Sequence, residues 1–110
     1  MSLSLGQLTQ IGRLRYLCDV LGWRVQLKRS PEAPHDVEEL VYFNESGLWL
    51  DILRVRSDTD AHAGRLVRQS VVDGSPRAVW EVGGVLEEVI DRLAEIIGAS
   101  GITKGSERLR

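Results

Sequence analysis

The stretch LWLDILRV, residues 48–55, constrains the fold more than any other, because it predicts a strand that is apolar on both faces. Successive side chains of a strand point to opposite faces. One face carries Leu48, Leu50 and Ile52, and the other carries Trp49, Leu53 and Val55. A strand with one face in water alternates apolar and polar residues instead. The sequence therefore predicts a sheet whose centre needs cover on both sides.

Four further strands are predicted around this one. They are residues 23–28, 40–43, 65–72 and 77–82. The segments NESG (44–47) and DGSP (73–76) have the residues of tight turns, whereas the polar segments 29–39 and 56–64 predict loops. Since no helical segment separates consecutive strands, we expect an antiparallel sheet, arranged as a meander or as paired hairpins.

Two amphipathic helices are predicted near the ends of the chain, over residues 5–22 and 84–97. Each has apolar residues at the spacing of one helix face. The order α-β-β-β-β-β-α is typical of the α+β class. A chain of 110 residues predicts one domain, which we expect to span residues 1–98 and to be followed by a flexible tail, 99–110.

Composition excludes several classes of function. The formal net charge of −2 provides no overall field for nucleic acid or membranes. Cys18 is the only cysteine, which rules out an internal disulfide and fits a reducing compartment. No apolar run approaches the roughly 18 residues of a membrane span, and the first residues lack the pattern of a signal peptide. We expect a cytoplasmic protein with no membrane partner and no cofactor.

Two arrangements can cover the two-faced strand. The helices can lie on opposite faces of the sheet, or both can cover one face and leave the other to a second subunit or a different protein. The second arrangement leaves an apolar patch of several hundred Å², more than monomers usually expose. Burying about 400 Å² contributes about 10 kcal/mol before the cost of association. We expect association, with a twofold homodimer as the default oligomer.

The residues expected to make this contact are apolar anchors with a charged group at the rim. They are Trp49, Leu53, Val41 and Phe43 on the sheet, Tyr16 and Val20 on the first helix, and Arg54 at the rim. In element order and size the chain resembles the compact chaperones of bacterial secretion effectors, and it is similar to small phage-encoded inhibitors and phage structural proteins. The resemblance implies a non-catalytic chaperone, adaptor or inhibitor that binds another protein.

Two other functions stay open. Residues 13–29 carry five cations against one acid, Asp19, and such a basic stretch is typical of nucleic-acid binding. The cations are Arg13, Arg15, Arg24, Lys28 and Arg29. Asp58, Asp60 and His62 alternate along the chain and are ligand types for a divalent metal, which is the hypothesis of a small metal-dependent enzyme. These three residues fall in a predicted loop, which offers no rigid scaffold.

Three single positions have structural interpretations. Cys18 lies on the apolar side of the first predicted helix, where we expect packing rather than reactivity. Asp51 lies among apolar residues, and we expect it to be paired with an arginine or to lie near an edge. Gly83 and Gly84 precede the last helix, where we expect a tight turn, because a phosphate-binding loop needs more glycines and a Lys or Ser/Thr.

Overall fold

The computed structural model describes residues 8–98 as a five-stranded sheet with helices at both ends of the chain. The helices are α1 (Ile11–Asp19), α2 (Arg68–Val72) and α3 (Leu86–Ile97). The strands are β1 (Arg24–Arg29), β2 (Val37–Ser46), β3 (Trp49–Ser57), β4 (Asp60–Val67) and β5 (Ala78–Gly84). The predicted α+β class and strand number are confirmed. The start of the predicted first helix and the predicted tail, 99–110, lie outside the described residues.

The sheet is a meander, because every strand pairs antiparallel with the next one along the chain. Pairing aligns Tyr42 with Leu53, Leu53 with Ala63, and Ala63 with Val82. The β2–β3 turn is shorter than NESG, because β2 continues to Ser46 and Gly47 supplies the positive φ, 59°, that the turn requires.

Four segments differ from their predictions. Gly83 and Gly84 are the last residues of β5 rather than a tight turn. Residues 56–64 are not a loop, because β3 and β4 meet in a tight turn at Asp58 and β4 is an inner strand between β3 and β5. Its alanines and Gly64 have low strand propensity, but they fit the limited space beside α3 and β5. The predicted strand 65–72 ends at Val67 and continues as α2. The predicted loop 29–39 contains the start of β2.

Both α1 and α3 cover the same face of the sheet, so the placement of the helices is that of the second arrangement. One buried cluster joins the side chains of both helices to those of one sheet face. It contains Leu14 and Leu17 of α1, Leu86, Val89, Ile90, Leu93 and Ala94 of α3, and Leu40, Tyr42, Leu53, Val55, Ala61 and Ala63 of the sheet. Arg13 and Asp91 join the two helices in an ion pair of 2.6 Å.

The turn at Asp58 fixes where the helices begin. Its carboxylate accepts a hydrogen bond from the Thr9 N–H at 3.0 Å, just before α1. Its backbone carbonyl accepts one from the Leu86 N–H at 2.8 Å, at the start of α3. At the other end of α3, Gly98 has a φ of 72° and donates its N–H to the Ala94 carbonyl. Among residues 8–98, no helix is long and apolar enough to span a membrane.

Candidate protein-binding face

The sheet face opposite α1 and α3, called the open face here, carries a continuous apolar strip. Pairing aligns Phe43 with Ile52 and Ile52 with Gly64, and the neighbouring rows add three more apolar side chains. The strip consists of Val41, Phe43, Leu50, Ile52 and Leu66, all of them partly exposed. None of the five belongs to the buried cluster or packs against it within residues 8–98. The strip is therefore apolar surface that the two long helices do not cover.

A groove of about 360 Å³ lies along the open face. Ile52, Leu66 and Gly64 line its apolar part, and Arg54, Arg56, His62, Glu81, Asp60 and Glu39 line its polar part. Gly64 lies in the groove, and Gly83 lies beside it, opposite His62. A Cβ at Gly64 would lie 3.2 Å from the Trp80 carbonyl oxygen, and a Cβ at Gly83 would lie 3.5 Å from the His62 ring. The missing side chains leave a depression rather than a ridge.

Most charges on the open face are already paired. Glu39 is buried between the ammonium of Lys28, at 4.0 Å, and the guanidinium of Arg56, at 3.3 Å. The His62 imidazole and the Glu81 carboxylate lie 3.1 Å apart.

Three charged groups remain for a ligand. Arg24 is aligned with Phe43, and Arg54 with Val41, so both cations flank the strip. In the described part of the chain neither has an ion pair, and the same is true of Asp60 at the end of the groove. The open face therefore combines apolar surface with two available cations and one available carboxylate.

The predicted contact residues divide between the two faces. Val41, Phe43 and Arg54 lie on the open face, but Leu53 has no exposed surface and lies in the core beneath the helices. Trp49 is on the same side as Leu53, and the Arg65 guanidinium lies 5.7 Å from its ring centre. The prediction grouped residues that the structure separates, because pairing aligns Phe43 with Ile52 rather than with Leu53.

The second predicted patch lies away from the open face. Tyr16 is half-buried against the core, and Val20, just beyond α1, is 60% exposed. Because α1 lies on the covered side of the sheet, neither residue extends the strip.

Asp51 is buried and paired, which explains an acid in this apolar strand. It lies on the covered side and accepts two hydrogen bonds from Arg65, at 2.7 and 3.0 Å. The hydrogen bond with Asp51 raises the pKa of Arg65, and burial opposes this in part. The arrangement is a bidentate ion pair that holds β3 to β4.

The residues of the metal and nucleic-acid hypotheses are not brought together. The Asp58 carboxylate is bonded to the Thr9 N–H, and residues 8–98 contain no group of three His, Cys, Asp or Glu side chains arranged to hold a metal. Of the five basic residues, Arg13 pairs with Asp91 on the covered side, whereas Arg24 and Lys28 point to the open face.

Cys18 is half-buried on α1. Burial, and then the charge of Asp19, raise the pKa of its thiol. A raised pKa disfavours the nucleophilic thiolate, which agrees with a packing role.

Sequence reasoning missed Leu50, Ile52, Leu66 and Gly64 as members of this face. The available signal was the two-residue turn at Gly47, which aligns Ser46 with Trp49 and so sets the register of all later pairs. Comparison of the chain with protein-family models, with curated proteins and with solved structures finds no match.

Proposed function

We propose that this protein is a non-catalytic binding module whose open face takes an extended apolar segment of another protein. The observation that carries the proposal is that α1 and α3 share one face of the sheet while the opposite face bears the apolar strip. The role is that of a chaperone, adaptor or inhibitor.

The shape of the open face favours a different protein over a second copy. The groove is a depression, and two copies of one depression do not fit each other face to face. A face-to-face pair with its twofold axis along β3 also brings the unpaired Arg54 of both copies together. An extended segment, in contrast, can lay one or two apolar side chains over Ile52 and the gap at Gly64.

The charges define the chemistry of the segment. Arg24 and Arg54 flank the strip and are free for carboxylates, so acidic residues beside the apolar ones complete the match. Because both arginines are exposed, their pairing contributes more to specificity and association rate than to affinity. The apolar anchors of the segment supply most of the binding energy.

Site-specific photocrosslinking tests the proposal. A benzoylphenylalanine at position 43, on the open face, is expected to give a discrete protein adduct in the organism that encodes the chain. The matched control is the same group at Val72, which is the last residue of α2 and is 78% exposed. Peptides tiled along the captured protein should then bind through an apolar segment that contains acidic residues, and Arg54→Glu should weaken that binding.

Identical adduct patterns at positions 43 and 72 would contradict the proposal. So would adducts at position 43 that ribonuclease or deoxyribonuclease removes, which would favour nucleic acid as the ligand. In that case, binding of an oligonucleotide should fall steeply with salt.

A further inference from the structure

The two edges of the sheet are protected to different extents. β1 carries Arg24, Lys28 and Arg29 along its six exposed residues, and charged side chains are the usual protection of an edge strand. β5 carries one charged residue, Glu81, whose carboxylate is held by His62 on the open face. In residues 8–98 no other strand pairs with the outward edge of β5. As far as residues 8–98 are concerned, the outward N–H and C=O groups of β5 are therefore open to another strand.

Apolar side chains cluster beside the β5 edge. The ion pair of Asp91 with Arg13 marks the flank of α3 that faces α1. Ile96 lies about 140° around the helix from Asp91, on the flank of α3 that faces away from α1. The helix itself packs over β4 and β5. The exposed apolar residues at or near this edge are Val79, Val85 and Ile96, at 53%, 42% and 37% exposure.

We propose that a second copy of this chain pairs with β5, so that two β5 strands run antiparallel about a twofold axis and join the two sheets into one. Such an interface is isologous, with the same edge contributed by both copies. It goes beyond the binding role proposed above. The axis is normal to the sheet, so both open faces stay accessible on the same side.

The side chains of β5 select one register. In a symmetric antiparallel pair, each residue opposes one that points to the same face. Centring the pair on Val82 puts Trp80 opposite Gly84, and it brings Val79, at the bulge of β5, near Val85, which follows the strand. Around Gly84 no atom of residues 8–98 lies within 4 Å of an added Cβ, so the partner's Trp80, which packs partly against its own core, meets no side chain there. Centring on Glu81 would oppose two carboxylates.

Disulfide trapping tests the register. Opposed residues of antiparallel strands have Cα atoms about 4.5–5.5 Å apart, within the range that a disulfide spans. The full chain with Cys18→Ser and Val82→Cys is expected to form a covalent dimer of twice 12.3 kDa under mild copper-phenanthroline oxidation. The matched control is Cys18→Ser with Val25→Cys on the β1 edge, 42% exposed, which should form no covalent dimer. Absence of the Val82 dimer, or an equal yield in the control, would overturn the register.

Sedimentation equilibrium tests the interface without a disulfide. The wild-type chain should show twice 12.3 kDa, and the double variant Val79→Lys/Val85→Lys should fall to 12.3 kDa. Val25→Lys/Leu27→Lys, which adds the same charge to the other edge at similar exposure, should leave the dimer intact. Circular dichroism of each variant verifies that the sheet is folded.

Two results overturn the proposal. The first is a wild-type chain that is monomeric up to about 100 µM. The second is a dimer that survives Val79→Lys/Val85→Lys but is lost in Phe43→Asp, which places self-association on the open face instead. The first leaves the crosslinking test of the open face untouched, so failure of the two proposals can be told apart.

Discussion

Leu53 and Ile52 are neighbours in β3 with opposite surroundings, so they test directly whether both helices lie on one face. Leu53 has no exposed surface and lies between Tyr42 and Ala63 of the adjacent strands. Leu53→Ala removes about three carbon groups, each contributing about 0.8 kcal/mol when buried. With the cavity that remains, we expect a loss of about 3–4 kcal/mol in the free energy of unfolding.

Ile52→Ala should cost only about 1 kcal/mol, because part of that side chain already contacts water on the open face. Urea denaturation followed by circular dichroism measures both losses, provided that the m-values of the two variants agree with the wild type. Equal losses for the two variants would refute the reasoning, because they would mean that the open face is covered as fully as the core. The binding role proposed for that face would then lose its basis.

Three further predictions concern the covered side and the groove. Asp51→Ala should lower the free energy of unfolding by about 2–4 kcal/mol in urea titrations, because it leaves a partly buried Arg65 without its partner. Burial, with a smaller contribution from Cys18, raises the pKa of Tyr42 to about 12 from 10.0. The neutral phenol is thus favoured in the folded state. The stability linked to this shift of two pKa units, about 3 kcal/mol, is complete below pH 10 and is lost between pH 10 and 12. Alkaline unfolding curves should show that loss in the wild type and a smaller one in Tyr42→Phe. Gly64→Ala should destabilise by about 1 kcal/mol through its contact with the Trp80 carbonyl, whereas thermal unfolding of Gly83→Ala should show no loss.

Each of these three predictions has a control variant or an outcome that would contradict it. For Asp51→Ala the control is Glu45→Ala, whose carboxylate lies 3.9 Å from Arg68 with both side chains exposed, and which should cost less than about 0.5 kcal/mol. Equal losses in these two variants would contradict a special role for the buried pair. Identical alkaline curves for wild type and Tyr42→Phe would contradict the Tyr42 assignment, and a stable Gly64→Ala would show that β5 can move away from the new methyl group.

The element order could be predicted because its signals are local. The spacing of apolar residues in residues 84–97 and the positions of Gly47 and Gly98 depend on near neighbours, and they placed α3, its end and the β2–β3 turn. The first part of β4, residues 60–64, was predicted as a loop because Ala61, Ala63 and Gly64 are poor strand formers on their own. What makes them suitable is the limited room beside α3 and β5, a tertiary property.

The candidate site was predicted only in part, because the sequence does not show how β2 and β3 are aligned. The sequence identified apolar residues on both faces of β3, but it did not show which of them share a face with Phe43. A shift of one residue in pairing exchanges the two faces of a strand. The structure aligns Phe43 with Ile52, so Val41, Phe43 and Arg54 stay on the open face while Trp49 and Leu53 belong to the covered one.

Because α3 follows all five strands in the chain, the order of synthesis has a consequence for folding. Each hairpin of the meander can form as soon as its second strand is made. The side chains that close the core come last, namely Leu86, Val89, Ile90, Leu93 and Ala94. Between the emergence of Gly84 and that of Ile97 from the ribosome, the nascent sheet has apolar side chains on both faces. Aggregation competes best with folding during this interval. A stop codon within residues 85–97 should therefore give aggregated protein in inclusion bodies rather than a truncated functional protein.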